Sequence, residues 1–230
     1  MTYTLFLGDA RYSSWSLRGW LMCDSFGLPH EDIFVGLYSG TMAEDLASVA
    51  PARTVPAMRT ADGQVLTDSL AMAETLAERH PGAGLWPQDP AARALARSMV
   101  AEMHSGFAAL RAACPMDLRR RIDGFVPDDA VRRDLDRIAA LWALARGSYG
   151  AAGDWLFGDW SLADVFYLPV AARIVTYDLP VPADARAWVG RAMAHPSFLR
   201  WRAMGLAEAT DPDPYNVGST RLPWPDQSFH

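Results

Sequence analysis

The order of patterns in the first forty residues constrains this chain more than any other feature. A short apolar alternation, Tyr3-Thr4-Leu5-Phe6-Leu7, is followed after residues 8–11 by Tyr12-Ser13-Ser14-Trp15-Ser16-Leu17-Arg18-Gly19-Trp20-Leu21. Serines are good N-cap residues, and Leu17, Trp20, Leu21 and Asp24 recur at helical spacing. The reading is strand, tight loop, helix. Gly27-Leu28-Pro29 ends the helix, because Gly suits a C-terminal cap and Pro cannot continue one. Ile33, Val35 and Leu37 then predict a half-buried strand over residues 32–37. Strand, helix, strand means parallel strands joined by a right-handed crossover. Ser13 and Ser14 therefore fall where backbone N–H groups are unpaired and the helix dipole is positive, a place that stabilises an anion.

A short helical piece is expected over residues 42–49, followed by Ala50-Pro51-Ala52-Arg53-Thr54-Val55-Pro56-Ala57-Met58. Pro56 removes a ladder donor and so marks a strand edge or an irregular entry. Ala61-Asp62-Gly63 between two short β-type runs is a hairpin signal. Asp68 and Ser69 suit the start of a helix that turns Leu70, Ala73, Leu76 and Ala77 inward. Residues 1–80 thus read β-α-β-α-β-β-α, an α/β thioredoxin-like order, and the Pro/Gly-rich residues 81–88 read as a linker. Beyond it residues 89–208 are helical throughout, an all-α domain. One long helix is expected from Asp89-Pro90 through Met99, Met103, Phe107 and Leu110 to Cys114, and another from Asp128 to Arg146. Ser161-Leu162-Ala163-Asp164 has the form of a capping box, with Asp in place of the usual Glu or Gln. His195-Pro196 opens the last helix. Residues 209–230 carry no periodicity and form an irregular tail that either packs through Tyr215, Leu222 and Trp224 or stays loose.

Composition narrows the function. In 230 residues the formal net charge is −6, which argues against nucleic acid as a partner. Every one of the 21 basic side chains is Arg, so a lysine nucleophile is excluded and anions must be met by Arg, His, hydroxyls or backbone N–H. Cys23 and Cys114 fit no metal or CxxC spacing and point to a reducing compartment. No apolar run is long enough for a membrane span, and no basic region precedes an apolar one at the N-terminus. A cytoplasmic protein without membrane contact or bound metal is expected.

Three segments carry a resemblance. Ser13-Ser14-Trp15-Ser16-Leu17-Arg18 after the first strand, Val55-Pro56 before the hairpin, and Asp68-Ser69 opening the next helix are similar to the serine-type cytosolic glutathione transferases, near the zeta class and its bacterial relatives. The resemblance covers residues 1–208 and implies a glutathione transferase, with glutathione as co-substrate and a homodimer as assembly. It implies that Ser13 directs its hydroxyl at the glutathione sulfur, with Ser14 as the rival one residue away. It implies a cis Val55-Pro56 bond, with the Val55 backbone pairing with the cysteinyl part of glutathione. Asp68 and Ser69 would grip the γ-glutamyl group. Where the family commonly has Gly-Lys before Val-Pro, this chain has Arg53-Thr54, and Arg53 is the nearest replacement for holding the glycine carboxylate. Asp164 would support the helical domain.

The acceptor should lie between the domains. Candidates are Trp15, which stands where zeta-type relatives carry Cys, and Met103, His104 and Phe107. Met103 and Phe107 at i, i+4 share a helical face that serves core or cleft. His104 is an acid/base, a polar cleft group or a surface residue. Arg119-Arg120-Arg121 reads as a solvated turn, with attraction of an anionic substrate as the alternative. The acceptor is expected to be an electrophilic, mainly hydrophobic molecule. The alternatives are a non-catalytic binder of glutathione or hydrophobic ligands, and a glutathione-dependent maleyl-acid cis-trans isomerase.

Overall fold

A computed structural model describes residues 2–207 and 220–224. The first part holds β1 (Tyr3–Leu7), α1 (Ser14–Asp24), β2 (His30–Phe34), α2 (Met42–Asp45), β3 (Ala57–Arg59), β4 (Val65–Leu66) and α3 (Ser69–Arg79). The sheet order is β2-β1-β3-β4, with β2 parallel to β1 and the other pairs antiparallel. This is the predicted β-α-β-α-β-β-α order, and the hairpin turn sits at Gly63 with φ +84. β2 departs from expectation. The strand ends at Phe34, and Ile33 and Phe34 are 41% and 44% exposed while Val35, just beyond it, is buried. β2 is an edge strand hydrogen-bonded on one side only, so alternation does not by itself bury a face.

The second part holds α4 (Pro90–Ser105), α5 (Ala108–Ala113), β5 (Arg120–Ile122), α6 (Asp129–Tyr149), α7 (Leu162–Tyr177), α8 (Ala183–Met193) and α9 (Pro196–Ala207), followed by β6 (Arg221–Pro223). The single long helix expected over residues 90–114 is two helices. Gly106 closes α4 on the Glu102 carbonyl at 2.8 Å, where an added Cβ would meet that same oxygen at 2.7 Å. Phe107 follows at φ 56, in the left-handed region, and α5 starts in a new direction.

The helical domain is also not purely helical. β5 pairs antiparallel with β6, in register Arg121 to Leu222. Two of the three arginines, Arg120 and Arg121, are therefore in a strand and not in a solvated turn. Arg120 Nε meets Asp117 Oδ2 at 2.6 Å, Arg119 Nη2 donates to Tyr12 Oη at 2.9 Å, and Arg121 pairs with Asp178 at 3.4 Å. Trp224 is buried beneath the Arg202 guanidinium, 5.0 Å from the ring centroid, so part of the tail packs. Tyr215 lies outside the described residues.

α7 is the centre of this part, buried along its whole length. Its first turn is satisfied internally by the predicted capping box. Asp164 Oδ2 accepts from Ser161 N at 3.0 Å and Ser161 Oγ at 3.2 Å, while Oδ1 accepts from Leu156 N at 3.0 Å and Trp188 Nε1 at 3.1 Å. One carboxylate thus ties the loop before α7, its N-cap and α8 together. Burial pushes its pKa up to about 6 in spite of these four donors.

A folded pKa raised above the unfolded value of about 3.9 contributes stability that is complete below pH ~4 and lost as pH rises through ~6. Asp164→Asn, which leaves donors unpaired, should destabilise the protein by about 1–3 kcal/mol at pH 4. The gap to wild type should narrow by up to roughly 3 kcal/mol between pH 4 and 7. Urea unfolding at stepped pH reads both, and a gap that widens with pH would sink this account of Asp164.

Candidate active site

Ser13 is the N-cap of α1, at φ −80 and ψ 93. Its Oγ accepts from Ser16 N at 3.1 Å and donates to Ser16 Oγ at 2.8 Å. Ser16 Oγ also receives Gly8 N at 2.8 Å, which pins the end of β1 to the helix start. The Ser13 hydroxyl is thereby committed within the loop. Ser14, the first helical residue, accepts at its Oγ from Arg173 Nη2 at 3.3 Å. Arg173 is buried on α7 and also donates to the carbonyls of Cys114 and Pro169.

Pro56 fixes what faces this helix start. Val55–Pro56 is a cis peptide, as is Ala50–Pro51. α1 lies directly on the proline ring: a Cβ on Gly19 would fall 2.6 Å from Pro56 Cβ. Only glycine at that helical position admits so close an approach.

Two cavities meet here. One, of about 520 Å³, is lined by Tyr12, Ser13, Ser14, Trp15, Arg111 and Arg173 with Tyr38, Met42 and Met116 among the remainder. The other, of about 310 Å³, is lined by Trp15, Thr54, Val55, Pro56, Thr67, Asp68, Ser69 and His104. Trp15, Thr54 and Val55 belong to both. Asp68 is the N-cap of α3, its Oδ1 accepting from Leu70 N at 2.8 Å and Ala71 N at 3.1 Å, while Ser69 is buried at the helix start.

Trp15 is the wall between the cavities. The Arg18 guanidinium lies 4.7 Å and that of Arg111 4.5 Å from its ring centroid, and His104 meets it edge-on at 5.3 Å. Arg18 is fully buried with Nε on the Phe166 carbonyl at 3.1 Å and with Nη1 lacking a hydrogen-bond partner among the described residues. Burial lowers the pKa of Arg18, with Arg173 and Arg111 adding repulsion, and burial likewise lowers that of Arg111. The larger of these two cavities has no carboxylate among the described residues that line it.

The structure thus brings together Ser13, Ser14, Trp15, Val55, Pro56, Asp68, Ser69 and His104. It does not bring in Met103 and Phe107, which are buried in the core because the helix they were expected to share ends between them. Arg53 is exposed and lines neither cavity. Sequence reasoning missed Tyr12, Thr54, Arg111 and Arg173. Thr54 adjoins a residue already singled out; the two arginines arrive from α5 and α7 with no local motif. Burial pushes both thiols up, Cys23 most, which leaves neither as a ready nucleophile. A larger cavity of about 690 Å³ lies at the far end of α1, between Ser25, Trp86, Tyr149 and Trp160, and holds none of the expected residues.

The model of the glutathione S-transferase N-terminal domain matches residues 12–79. A probable maleylacetoacetate isomerase of Caenorhabditis elegans is 32% identical over 164 residues, covering 68% of this chain and 76% of that protein. A glutathione transferase homolog from Burkholderia, solved with bound glutathione, superposes with TM-score 0.67 at 25% identity over 90% of this chain and 100% of its own. A homolog from Sulfitobacter, also with bound glutathione, has TM-score 0.63 at 22% identity over 89% of this chain and 98% of its own, a likeness of fold. The identity shared with the nematode protein over three quarters of its length, on this two-part fold, makes the chain a member of the glutathione transferase family.

Proposed function

We propose that this glutathione transferase binds glutathione along the two joined cavities, with its thiol at the N-terminus of α1. The γ-glutamyl end meets Asp68 and Ser69, the cysteinyl backbone meets Val55, and the electrophile enters the 520 Å³ cavity. The observation that carries this reading is the shared wall: Trp15, Thr54 and Val55 line both cavities, so the cysteinyl place and the anion-stabilising helix start coincide. Ser69 Oγ and N–H suit an α-carboxylate, and Asp68 Oδ2 an ammonium. Arg53 holds the glycine carboxylate from outside. A homodimer and a cytoplasmic setting follow from the family likeness and are part of the same proposal.

The nucleophile is a thiolate, and a free thiol near neutral pH is mostly protonated. The helix dipole and a hydroxyl donor both favour the anion. The resemblance gives the hydroxyl to Ser13; its hydrogen bonds to Ser16 favour Ser14 instead, because Ser14 accepts from Arg173 and keeps its own proton to donate. The thiol proton leaves to solvent, the sulfur forms a bond to the electrophilic carbon, and the bonding pair departs with the leaving group or is protonated.

One observation favours the isomerase alternative. Among the described residues Arg111 bonds only the His104 carbonyl, at 3.2 Å, and stacks on Trp15, so a guanidinium with no carboxylate partner among them faces the acceptor cavity. An acceptor that carries a carboxylate would supply the missing charge.

Titration calorimetry with glutathione beside turnover on a panel of electrophiles tests the main reading; binding with no turnover on any of them would favour the non-catalytic alternative. Ser14→Ala should lower turnover near neutral pH, raise the kinetic pKa by about one to two units for a donor worth ~1.4–2.8 kcal/mol, and leave the melting curve near wild type. Ser13→Ala should instead cost about 1 kcal/mol of stability as a lost cap. Exchange of these two phenotypes would return the thiol to Ser13. Arg53→Ala should weaken glutathione more than γ-glutamylcysteine, and equal losses would exclude Arg53 from the glycine end. Arg111→Met should raise KM for a maleyl-type acid while sparing a neutral electrophile; equal effects on both would remove the acid reading.

A further inference from the structure

Sequence reasoning places His104 among acceptor-lining candidates, and the geometry moves it elsewhere. His104 sits in the last turn of α4 and lines the smaller cavity, not the one next to Ser14. Its ring spans the two groups at the start of α3. Nε2 is 3.2 Å from Asp68 Oδ2, and Nδ1 is 3.4 Å from Ser69 Oγ. Trp15 packs edge-on against the ring, and Arg111, which lies 4.5 Å from the Trp15 ring centroid, donates to the His104 carbonyl. The ring is therefore held by α1 and α3, and the His104 backbone carbonyl is tied to α5.

The division of labour at Asp68 gives this contact its meaning. Oδ1 is spent on capping α3 through Leu70 N and Ala71 N. Oδ2 is left outside the cap, and it is the oxygen that His104 touches. A carboxylate oxygen accepts more than one hydrogen bond, so a donor from His104 fixes the carboxylate plane and leaves a lone pair for a cation. With Nε2 as donor, Nδ1 is the acceptor in a neutral ring and limits the rotation of the Ser69 hydroxyl. Without the ring, Asp68 keeps its cap but its outer oxygen, on a side chain 49% exposed, is oriented only by water.

We propose that His104 is a positioning residue for the γ-glutamyl end of glutathione, acting through Asp68 and Ser69 across the boundary between the two parts of the chain. The inference rests on the glutathione reading above and assigns His104 to the co-substrate instead of the acceptor. It makes the γ-glutamyl clamp a joint product of both parts, since α3 supplies the acceptor groups and α4 the group that orients them.

The test compares glutathione with glutaryl-cysteinylglycine, which lacks only the α-amino group, by calorimetry on the full chain. His104→Phe keeps a ring against Trp15 and removes both nitrogens. It should weaken glutathione about tenfold, the scale of one charge-assisted hydrogen bond, and weaken the desamino analogue less than about twofold. KM for glutathione should rise in step while kcat at saturating glutathione stays within about twofold. His104→Gln, which returns an N–H toward Asp68, should recover most of the affinity. The ratio of the two ligand affinities is insensitive to partial unfolding, so a poorly folding variant still decides. Equal losses for both ligands, tighter glutathione binding, or a fall in kcat with KM unchanged would overturn the assignment. A wild-type protein that binds no glutathione would remove the functional reading as well; binding by wild type with unchanged affinity in His104→Phe removes this inference alone.

Discussion

Because α7 is buried along its whole length, it has no solvent face on which to leave a polar group unsatisfied, and much of the structure answers that constraint. Its first turn cannot be finished by water, so a single buried carboxylate, Asp164, gathers four donors from Leu156, Ser161 and Trp188. Burying a charge is tolerable only when hydrogen bonds replace hydration in this way. Pro169 interrupts the ladder within the helix, and two guanidinium groups, one from α1 and one from α7 itself, settle on carbonyls of this helix. Arg18 of α1 donates to Phe166 O, and Arg173 donates to Pro169 O and Cys114 O. The buried helix therefore does more than fill the core. It draws two guanidinium groups to the base of the cleft, and one of them reaches Ser14.

Those guanidinium groups set the electrostatics of the site. Arg18, Arg111 and Arg173 gather near Trp15 and Ser14, and the larger cavity beside them has no carboxylate among the described residues that line it. Trp15 moderates the repulsion, since the negative faces of one indole accept two cations. The pKa of Arg18 is lowered first by burial and then by Arg173 and Arg111. On the proposed reading an anion at the start of α1 offsets that repulsion among like charges. In a chain without lysine, a field from fixed guanidinium groups and backbone N–H takes, on that same reading, the place of a base next to the thiol.

The fold was legible where it rests on local chemistry. The α1 cap, the Asp-Gly hairpin, the α3 start at Asp68 and the Ser161–Asp164 box all depend on residues three or fewer positions apart, and each was found where its pattern put it. Features set by distant partners were not legible. Arg120 to Ile122 shows no alternation, and its strand identity comes from a partner about a hundred residues later. The break at Gly106 interrupts a pattern whose apolar periodicity runs on unbroken, because Met103 before it and Phe107 and Leu110 after it are all buried. The same division holds at the site. Residues near the expected motifs line the cavities, whereas Arg111 and Arg173 come from α5 and α7 and are announced by nothing in their own neighbourhoods.

The uncertainty between Ser13 and Ser14 has a physical origin. An N-cap residue and the first helical residue both sit at the positive end of the dipole, and both are serine here. What separates them is the destination of each proton. The cap must turn its oxygen back to Ser16 N, and once there its hydroxyl finds Ser16 Oγ at 2.8 Å, already anchored by Gly8 N. The next residue is free of that obligation, and its oxygen instead accepts from a charged guanidinium. An oxygen that gives electron density to a cation holds its own proton less tightly and becomes a better donor, as hydrogen bonds in a chain polarise one another. In the proposed site the chain Arg173, Ser14, anion thus runs in one direction, from a buried guanidinium on α7 through a hydroxyl to the place assigned to the thiolate. A helix start alone would offer only the dipole; the arginine held on α7 gives its neighbouring hydroxyl a direction.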